Sequence, residues 1–411
     1  MFVSFFSVCF VFSLLKFELR VLLLNNVPTL YFDPLFEKIR RDSGWQLRVC
    51  YSSAWNSQVG WEESEFERQG EAIILDQKSP WLRKRLGSSV AAAVSLARIL
   101  TSQSPDYLIC CGYTLKPQLV ALTWAMLMKK PFAVIGDSNI YCDRITGVKR
   151  IIKRLWLNLV TRQASALMTI GSANRRFWES YGARPEQLFE SRLAVDLEFF
   201  ERACRERRDE AAAWRARQGL SEKIVFLFAG RLVKRKHVDS IIKAVLRLND
   251  DRMAVVIAGG GEELASLKEI AGSDPRVIFT GPIAPAELPL YYTLSDVLVL
   301  PADREPWGLV INEAMACGLA VIAHRHCGAA VDLVGNDNGV ALNTFSVDEL
   351  AEALKTMVNH EPLLRSMQER SRKKIANWSI DAAALGMIRA VESSLTTRGS
   401  RPRLPVLREE K

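Results

Sequence analysis

Short apolar runs alternate with longer amphipathic stretches along most of the chain. In the first half the apolar runs lie at residues 19–24, 47–52, 71–76, 106–111, 131–136 and 166–171. Stretches with helical periodicity lie between them, at residues 33–42, 86–101, 116–128, 148–162 and 173–181. Near-continuous apolar strands separated by helices predict a parallel sheet covered on both faces.

The same pattern restarts after a charged helical stretch at residues 197–220. Its apolar runs lie at residues 223–230, 253–260, 276–281, 296–301, 319–324 and 339–343. A chain of 411 residues exceeds what one hydrophobic core usually holds. The pattern therefore predicts an α/β fold with two Rossmann-like doubly wound domains, in which ligands bind at the carboxyl ends of the strands.

The ends of the chain differ from the two predicted domains. The first fifteen residues carry no charge. That run is shorter than the roughly 20 residues of a membrane-spanning helix, and it lacks the basic start and cleavage site of a signal peptide. A weak membrane anchor and an extension irrelevant to the fold both stay open. The predicted division is an apolar extension at 1–18, a first domain at 19–195, a connection at 196–222, a second domain at 223–377 and a flexible tail at 397–411.

Composition narrows the class of protein and its partners. Apolar residues make up 49% and charged residues 25% of the chain, which excludes a disordered protein. The first 200 residues hold 25 Lys and Arg against 18 Asp and Glu, out of a net charge of +9. A basic half attracts an anionic membrane or a nucleic acid, or it is merely a soluble basic surface. No recognised nucleic-acid module is present, so we expect no nucleic acid as a partner.

Cysteine and histidine usage indicates the compartment. The chain has 8 Cys and 4 His with no Cys-x-x-Cys pair, which argues against a disulfide scaffold or a zinc ribbon. The thiols are typical of small buried side chains in a reducing compartment. We therefore expect a cytoplasmic protein.

The stretch at residues 296–324 carries the strongest chemical pattern. An apolar strand is followed by a loop with Glu305 and by a helix that begins near Leu309 and carries Glu313. Both carboxylates can face one crevice, where they suit sugar hydroxyls. The helix start leaves amides free for oxyanions, those of Gly308, Leu309 and Val310. Alternatively, Glu305 is a solvated loop residue and Glu313 a charge favoured by the helix dipole.

Two further turns follow strands of the second half. After a strand that ends at Gly230 come four cations, Arg231, Lys234, Arg235 and Lys236. They predict a phosphate site, with a solvated basic loop as the alternative. Gly260 lies at the centre of a triple-glycine turn, where a ligand can approach the backbone or where the turn simply needs glycine.

These motifs together resemble those of family 4 glycosyltransferases. The resemblance covers about residues 224–342 and consists of the motifs GRL, a lysine five residues after the arginine, AGGGE, VIFTG, SDVLVLP and EPWGLVINEAMACGLAVI. It implies the glycosyltransferase B fold, with the two domains facing across a cleft. It also implies that a helix at 378–396 crosses back to complete the first domain.

The resemblance assigns roles to residues of both halves. Arg231 and Lys236 would hold the diphosphate of a nucleoside-diphosphate sugar. Glu305 and the backbone of Trp307, Gly308, Leu309 and Val310 would contact the transferred sugar and phosphates, with Gly230 and Gly260 beside the donor. Glu313 would bind the ribose hydroxyls. Many members have a histidine where this chain has Asp137, so Asp137 is a catalytic candidate that cannot act as an imidazole.

The implied reaction is a transfer that retains anomeric configuration and needs no metal or other cofactor. The departing phosphate takes the proton of the acceptor, so catalysis is mostly electrostatic. No Asp-x-Asp motif is present. The expected acceptor is a glycan or lipid-linked precursor of a cell-surface polysaccharide such as lipopolysaccharide. A sugar-nucleotide epimerase on the same fold and a non-catalytic sugar-nucleotide-binding protein stay open as alternatives.

A basic helix in the first half bears on location. Residues 149–156, KRIIKRLW, place Lys149, Arg150, Lys153 and Arg154 beside bulky apolar side chains. The stretch 81–86, WLRKRL, is similar. Such segments can lie on an anionic membrane, which predicts peripheral attachment to its inner face. Alternatively, the apolar side is the core face of a helix that covers the sheet.

Overall fold

The described chain forms two α/β domains, and the prediction of two Rossmann-like doubly wound domains is confirmed. The structure is a computed structural model that describes residues 19–28, 32–53 and 72–397. The predicted apolar extension at 1–18 and all but the first residue of the predicted tail lie outside the described residues. Within them, no helix is both long enough and apolar enough to cross a bilayer.

The first domain is built on a parallel sheet with the strand order β3-β2-β1-β4-β5-β6-β7. The strands are β1 Arg20–Asn25, β2 Gln46–Tyr51, β3 Ala72–Ile74, β4 Tyr107–Cys111, β5 Phe132–Ile135, β6 Ala166–Thr169 and β7 Leu188–Glu190. The direction of the crossovers reverses between β1 and β4. A crevice therefore opens at the carboxyl ends of these two strands.

Helices cover both faces of the first sheet, which is why its strands are apolar on both sides. The helices of this part of the chain are α1 Asp33–Ser43, α2 Pro80–Leu86, α3 Ser88–Gln103, α4 Lys116–Leu127, α5 Gly147–Gln163 and α6 Ser172–Ser180. Leu23 and its same-face neighbours pack with α1 and with α16 Ile380–Thr397. Leu22 and Leu24 face the other way, towards α3, α4, α5 and α6.

The second domain repeats this arrangement with the strand order β10-β9-β8-β11-β12-β13. Its strands are β8 Ile224–Ala229, β9 Met253–Ala258, β10 Val277–Gly281, β11 Val297–Leu300, β12 Ala320–His324 and β13 Gly339–Leu342. Its helices are α7 Leu197–Glu206, α8 Arg208–Arg217, α9 Val238–Leu248, α10 Leu264–Ala271, α11 Leu288–Thr293, α12 Leu309–Ala316, α13 Gly328–Leu333, α14 Val347–Asn359 and α15 Glu361–Ile375. The crossovers reverse between β8 and β11, which lie side by side.

Several boundaries differ from the sequence prediction. Strand β7 was not predicted, because a three-residue strand is too short to give a periodic signal. The predicted helix at 86–101 is the separate helix α3, and Gly87 divides it from α2. The helical stretch at 197–220 is two helices, α7 and α8, and both pack against α11 of the second domain.

Helix α16 returns from the second domain to the first. It packs against α1, β6 and β7. The hydroxyls of Tyr107 and Ser394 lie 2.7 Å apart, which joins the helix to β4. At Gly386 the helix approaches the strand edge so closely that a Cβ atom would lie 3.1 Å from the Cα of Ser191 and overlap the carbonyl oxygen of Glu190. The absence of a side chain at Gly386 therefore fixes how tightly α16 closes the first core.

Replacing Gly386 by alanine tests this close approach. We expect Gly386→Ala to lower the free energy of unfolding by about 1–3 kcal/mol, since overpacking forces the helix away from the sheet. Urea denaturation measures the change. Leu385→Ala, at an exposed position of the same helix, is the matched control and should change stability by less than about 0.5 kcal/mol. An unchanged unfolding curve for Gly386→Ala would contradict the packing described.

Candidate functional site

The candidate site lies at the crevice of the second sheet, where two loops leave neighbouring strands. One loop follows β8 and ends in a 3-10 turn at Lys234–Lys236, immediately before α9. The other follows β11 and runs to the start of α12 at Leu309. The strand order reverses between β8 and β11, so these loops border the position where doubly wound sheets bind ligands.

An ion pair joins the two loops. Lys236 is only 8% exposed, and its Nζ donates to Oε2 of Glu305. Nη1 of Arg235 donates to the same oxygen at 3.0 Å and to the carbonyl of Arg304 at 2.8 Å. A carboxylate held by two cations is well compensated, whereas a buried charge that loses its partner is costly. Lys236 therefore requires an anion at this position, and here Glu305 supplies it.

The loop that carries Glu305 is held in place by its backbone. Gly328 N donates to the carbonyl of Glu305 at 3.1 Å, and the Cys327 thiol donates to the carbonyl of Trp307 at 2.8 Å. Gly308 has φ +96°, and a Cβ there would lie 2.8 Å from the Cys327 sulfur. Only glycine fits this backbone and this space. The conformation of the loop, and with it the position of Glu305, is thus fixed by its neighbours.

The start of α12 has free backbone donors. In the described ranges, no protein acceptor takes the amide hydrogens of Gly308, Leu309 or Val310. These amides carry the positive end of the helix dipole. The helix begins at Leu309, where the sequence predicts it. The arrangement can receive an oxyanion beside the Lys236–Glu305 pair.

The other residues of the second domain that the sequence predicts at the site differ in their surroundings. Arg231 is exposed and makes no ion pair or side-chain hydrogen bond within the described chain. Gly230 N donates to the carbonyl of Ala258, and Leu232 N donates to the carbonyl of Gly260, both at 2.9 Å. The triple-glycine turn therefore packs its backbone against the loop after β8. This backbone contact explains the glycines of the turn by close packing alone, with no need for a ligand.

Glu313 and Trp307 are buried away from solvent. Glu313 is 1% exposed, and its Oε2 accepts a hydrogen bond of 2.5 Å from the Tyr292 hydroxyl. A ribose can reach this carboxylate only after a side chain moves. The Trp307 ring stacks on Trp378 at 4.9 Å, and its Nε1 donates to Asn312 at 2.9 Å. The ring belongs to the junction between the domains, so only the Trp307 backbone is placed near the crevice.

Asp137 reaches the site from the first domain. It lies in the loop that follows β5, and it is exposed. Surrounding protein and the Glu305 carboxylate raise the pKa of Asp137. Asn139, two residues further along the same loop, donates to the carbonyls of Glu305 and Pro306, so the loop of Asp137 faces the loop of Glu305. The structure thus brings together Lys236, Glu305, Asp137 and the start of α12.

Sequence reasoning missed the residues that join the two walls. The buried side chain of Asn139 donates to the carbonyls of Glu305 and Pro306, at 3.1 and 2.9 Å. Arg144 pairs with Asp303 at 2.8 Å. Asn139 lies two residues after Asp137 in the same loop, which is the one signal available in the sequence. Its partners are backbone carbonyls of a loop that is distant in sequence, and a contact of this kind cannot be predicted from the pattern of side chains.

The architecture matches solved structures over nearly the whole chain. The structure of Alr3699/HepE from Anabaena in complex with UDP superposes with a TM-score of 0.71 at 16% identity, covering 91% of this chain and 100% of that chain. The structure of WaaG, a glycosyltransferase involved in lipopolysaccharide biosynthesis, gives a TM-score of 0.63 at 16% identity over 90% and 98%. This chain has the glycosyltransferase B fold.

The match to a family model lies mainly in the second domain of this fold. Residues 210–374 match the family model described as "Glycosyl transferases group 1". A GDP-mannose-dependent alpha-(1-6)-phosphatidylinositol monomannoside mannosyltransferase of Mycobacterium tuberculosis is 34% identical over 186 residues, 42% of this chain and 48% of the relative. A D-inositol 3-phosphate glycosyltransferase of Corynebacterium aurimucosum is 28% identical over 250 residues, 58% of each. The chain spans about half the length of the curated relatives it matches.

Beside the site, three histidines surround one aromatic ring. The imidazole of His324 stacks on Phe345 at 3.8 Å, and that of His237 stacks on it at 4.7 Å. His326 stacks on Tyr141 of the first domain at 4.7 Å. His324 is fully buried, and burial together with the neighbouring His326 lowers its pKa to about 4. In the described part of the chain, no cluster of three His, Cys, Asp or Glu residues is arranged to hold a metal ion.

The low pKa of His324 predicts acid sensitivity of the fold. An unfolded histidine takes up a proton near pH 6.5, whereas folded His324 does so only near pH 4. The free energy of unfolding should therefore fall by about 3 kcal/mol as the pH drops through this window. In His324→Leu, this part of the pH dependence should disappear from melting temperatures recorded between about pH 7 and about pH 4. Parallel curves for the wild type and the variant would contradict the assignment.

Proposed function

We propose that this protein is a retaining, metal-independent glycosyltransferase that moves a sugar from a nucleoside diphosphate to a glycan or lipid-linked acceptor in the cytoplasm. The observation that carries the proposal is the Lys236–Glu305 pair beside the free start of α12, at the reversal point of the second sheet. The match of residues 210–374 to a glycosyltransferase family model supports it. So does the name of the mycobacterial relative, which uses GDP-mannose.

The donor diphosphate replaces Glu305 as the partner of Lys236 in this proposal. The phosphate oxygens accept from Lys236 Nζ and from the free amides at Leu309 and Val310, and the exposed Arg231 closes over them. Each interaction strengthens as negative charge grows on the departing phosphate, which lowers the barrier. Glu305, once released, accepts hydrogen bonds from hydroxyls of the transferred sugar.

The proposed chemistry is one substitution on the face from which the diphosphate leaves. The bond between the anomeric carbon and the phosphate oxygen breaks, and a bond from the acceptor oxygen to that carbon forms. The proton of the acceptor hydroxyl passes to the departing phosphate oxygen. Asp137, on the opposite wall from Glu305, orients the sugar by accepting from a hydroxyl. Entry and departure on one face retain the anomeric configuration.

The acceptor binds at the corresponding crevice of the first sheet. Asn25 ends β1 next to β4, is 4% exposed, and its Nδ2 has no hydrogen-bond partner within the described chain. Gln118 Nε2 donates to Cys111 O at 2.7 Å and so fixes the neighbouring loop. A buried side-chain amide without a partner favours an oxygen that accepts its hydrogen bond. A hydroxyl or phosphate group of the sugar acceptor would supply that oxygen.

The proposal is separated from its alternatives by donor binding and turnover. A donor of the right base and sugar raises the melting temperature by mass action, so a panel of nucleotide sugars identifies it. Transfer then requires both donor and acceptor. Donor conversion without an acceptor would indicate the epimerase, and stabilisation without turnover on any acceptor would indicate a binding protein.

Loss of either member of the ion pair should remove transfer. We expect Lys236→Ala and Glu305→Ala each to lower kcat/KM at least about hundredfold, since each loses an interaction made with the reacting groups. Lys236→Ala should also abolish stabilisation by the donor. Glu287→Ala, which breaks the more exposed Arg207–Glu287 pair of the same domain, is the control and should keep wild-type activity. Near-normal transfer by either site variant would refute the site, provided that its folding is shown by circular dichroism.

A further inference from the structure

The positive charge of the first domain is concentrated on one group of helices. Helices α2, α3, α4 and α5 contain no Asp or Glu and ten Lys or Arg. Helices α3, α4 and α5 lie on the same side of the first sheet, since they pack into one core, and α2 packs on α3. The excess of cations in the first half of the sequence is therefore presented on one face and attracts an anionic partner.

Helix α5 exposes a continuous apolar stripe on this face. The stripe consists of Val148, Ile151, Ile152, Leu155 and Leu159, which are between 42% and 72% exposed. Their spacing puts them on one side of the helix. The core contact is made by other residues of the same helix, Leu157 and Val160, which are fully buried. The alternative, that the apolar side of this helix is its core face, is therefore wrong.

Cations flank the stripe and extend it into an amphipathic surface. Lys149, Arg150 and Arg154 are exposed on α5. Lys153 is not part of the surface, because it pairs with Asp143 at 2.8 Å and lies over the Phe177 ring. We define the α5 surface by its eight exposed residues: Val148, Lys149, Arg150, Ile151, Ile152, Arg154, Leu155 and Leu159.

Neighbouring helices also expose large apolar side chains and cations. Leu115 and Leu119 are exposed at the start of α4, and Trp156 Nε1 of α5 donates to the carbonyl of Tyr113 just before that start. Trp81 and Leu86 are exposed on α2, where Arg83, Lys84 and Arg85 lie between them. Several helices thus present large apolar side chains and cations together, a combination that is uncommon on a surface facing only water.

The α5 surface begins beside the cleft. The loop that carries Asp137 runs from β5 across to the second domain, where Asn139 contacts the Glu305 loop. After Arg144 pairs with Asp303, the chain enters α5 at Gly147. The exposed end of α5 is therefore only a few residues from the groups that join the two walls of the cleft.

We propose that the α5 surface docks this protein onto an anionic lipid bilayer, with the cleft opening beside the headgroups. This inference rests on the proposed function and names the setting of its acceptor as the membrane surface. Charge and apolar area together fit a bilayer, which offers anionic headgroups above an apolar interior. A second copy of the chain fits poorly, because a symmetric contact would bring like charges together. A nucleic acid would leave the apolar stripe without a partner.

Vesicle flotation of the full chain tests the docking. We expect binding to vesicles of phosphatidylcholine mixed with phosphatidylglycerol, weak binding to phosphatidylcholine alone, and a loss of binding as salt rises. Ile151→Ser combined with Leu155→Ser should weaken partitioning at least about tenfold. Replacing Lys149, Arg150 and Arg154 by glutamine should weaken it on the order of a hundredfold.

Matched controls remove exposed groups from other surfaces. Leu363→Ser with Leu385→Ser removes two exposed leucines elsewhere, and glutamine at Lys268, Lys355 and Lys373 removes three exposed cations of the second domain. Both should keep wild-type flotation. Equal binding to the two lipid mixtures, no binding at all, or equal losses in the controls would overturn the docking. So would a dimer by analytical ultracentrifugation that Ile151→Ser with Leu155→Ser converts to a monomer.

Binding of the nucleotide-sugar donor is measured independently of membrane docking. Thermal stabilisation by the panel of nucleotide sugars, UDP-glucose and GDP-mannose among them, is measured on the wild type and on the α5 variants without vesicles. We expect the variants to match the wild type, because the α5 surface does not touch the donor crevice. Flotation failure with intact stabilisation refutes the docking alone, whereas intact flotation with no stabilisation by any nucleotide sugar refutes the proposed function.

Discussion

The pairing of Lys236 with Glu305 is the interaction on which the arrangement of the site depends. A lysine with 8% exposure requires a negative partner, and the two loops that leave β8 and β11 are joined because Glu305 supplies it. In the function proposed above, a diphosphate takes the place of Glu305 beside Lys236. Donor binding would then exchange one anion for another while the cation stays in place.

The same loop also connects the two domains. Asn139 of the first domain binds the carbonyl of Glu305, while the Glu305 side chain binds Lys236 of the second. A shift of the Glu305 backbone would therefore change its contact with Asn139, in the same loop as Asp137. The stacking of His326 on Tyr141 and the pairing of Arg144 with Asp303 lie along the same boundary. The loop of Glu305 therefore contacts both the proposed donor site and the boundary between the domains.

Much of the fold follows from the sequence because the central strands of both sheets are buried on both faces and give short apolar runs, with helical stretches between them. The start of α12 is predictable for a local reason, since Gly308 adopts a backbone that only glycine tolerates. Pairing across the sheet is not local. Neither the partner of Lys236 nor the backbone contacts of Asn139 leave a periodic trace. The apolar stripe of α5 was visible in sequence, but periodicity does not distinguish a face that meets the core from one that meets a membrane.

The central claim is that Lys236 and the start of α12 bind a diphosphate that displaces Glu305. A crystal structure of the protein with a bound nucleoside diphosphate tests it most directly. We predict phosphate oxygens within hydrogen-bond distance of Lys236 Nζ and of the Leu309 or Val310 amide, with the Glu305 carboxylate turned away from Lys236. A nucleotide bound elsewhere while the Lys236–Glu305 pair stays intact would contradict it.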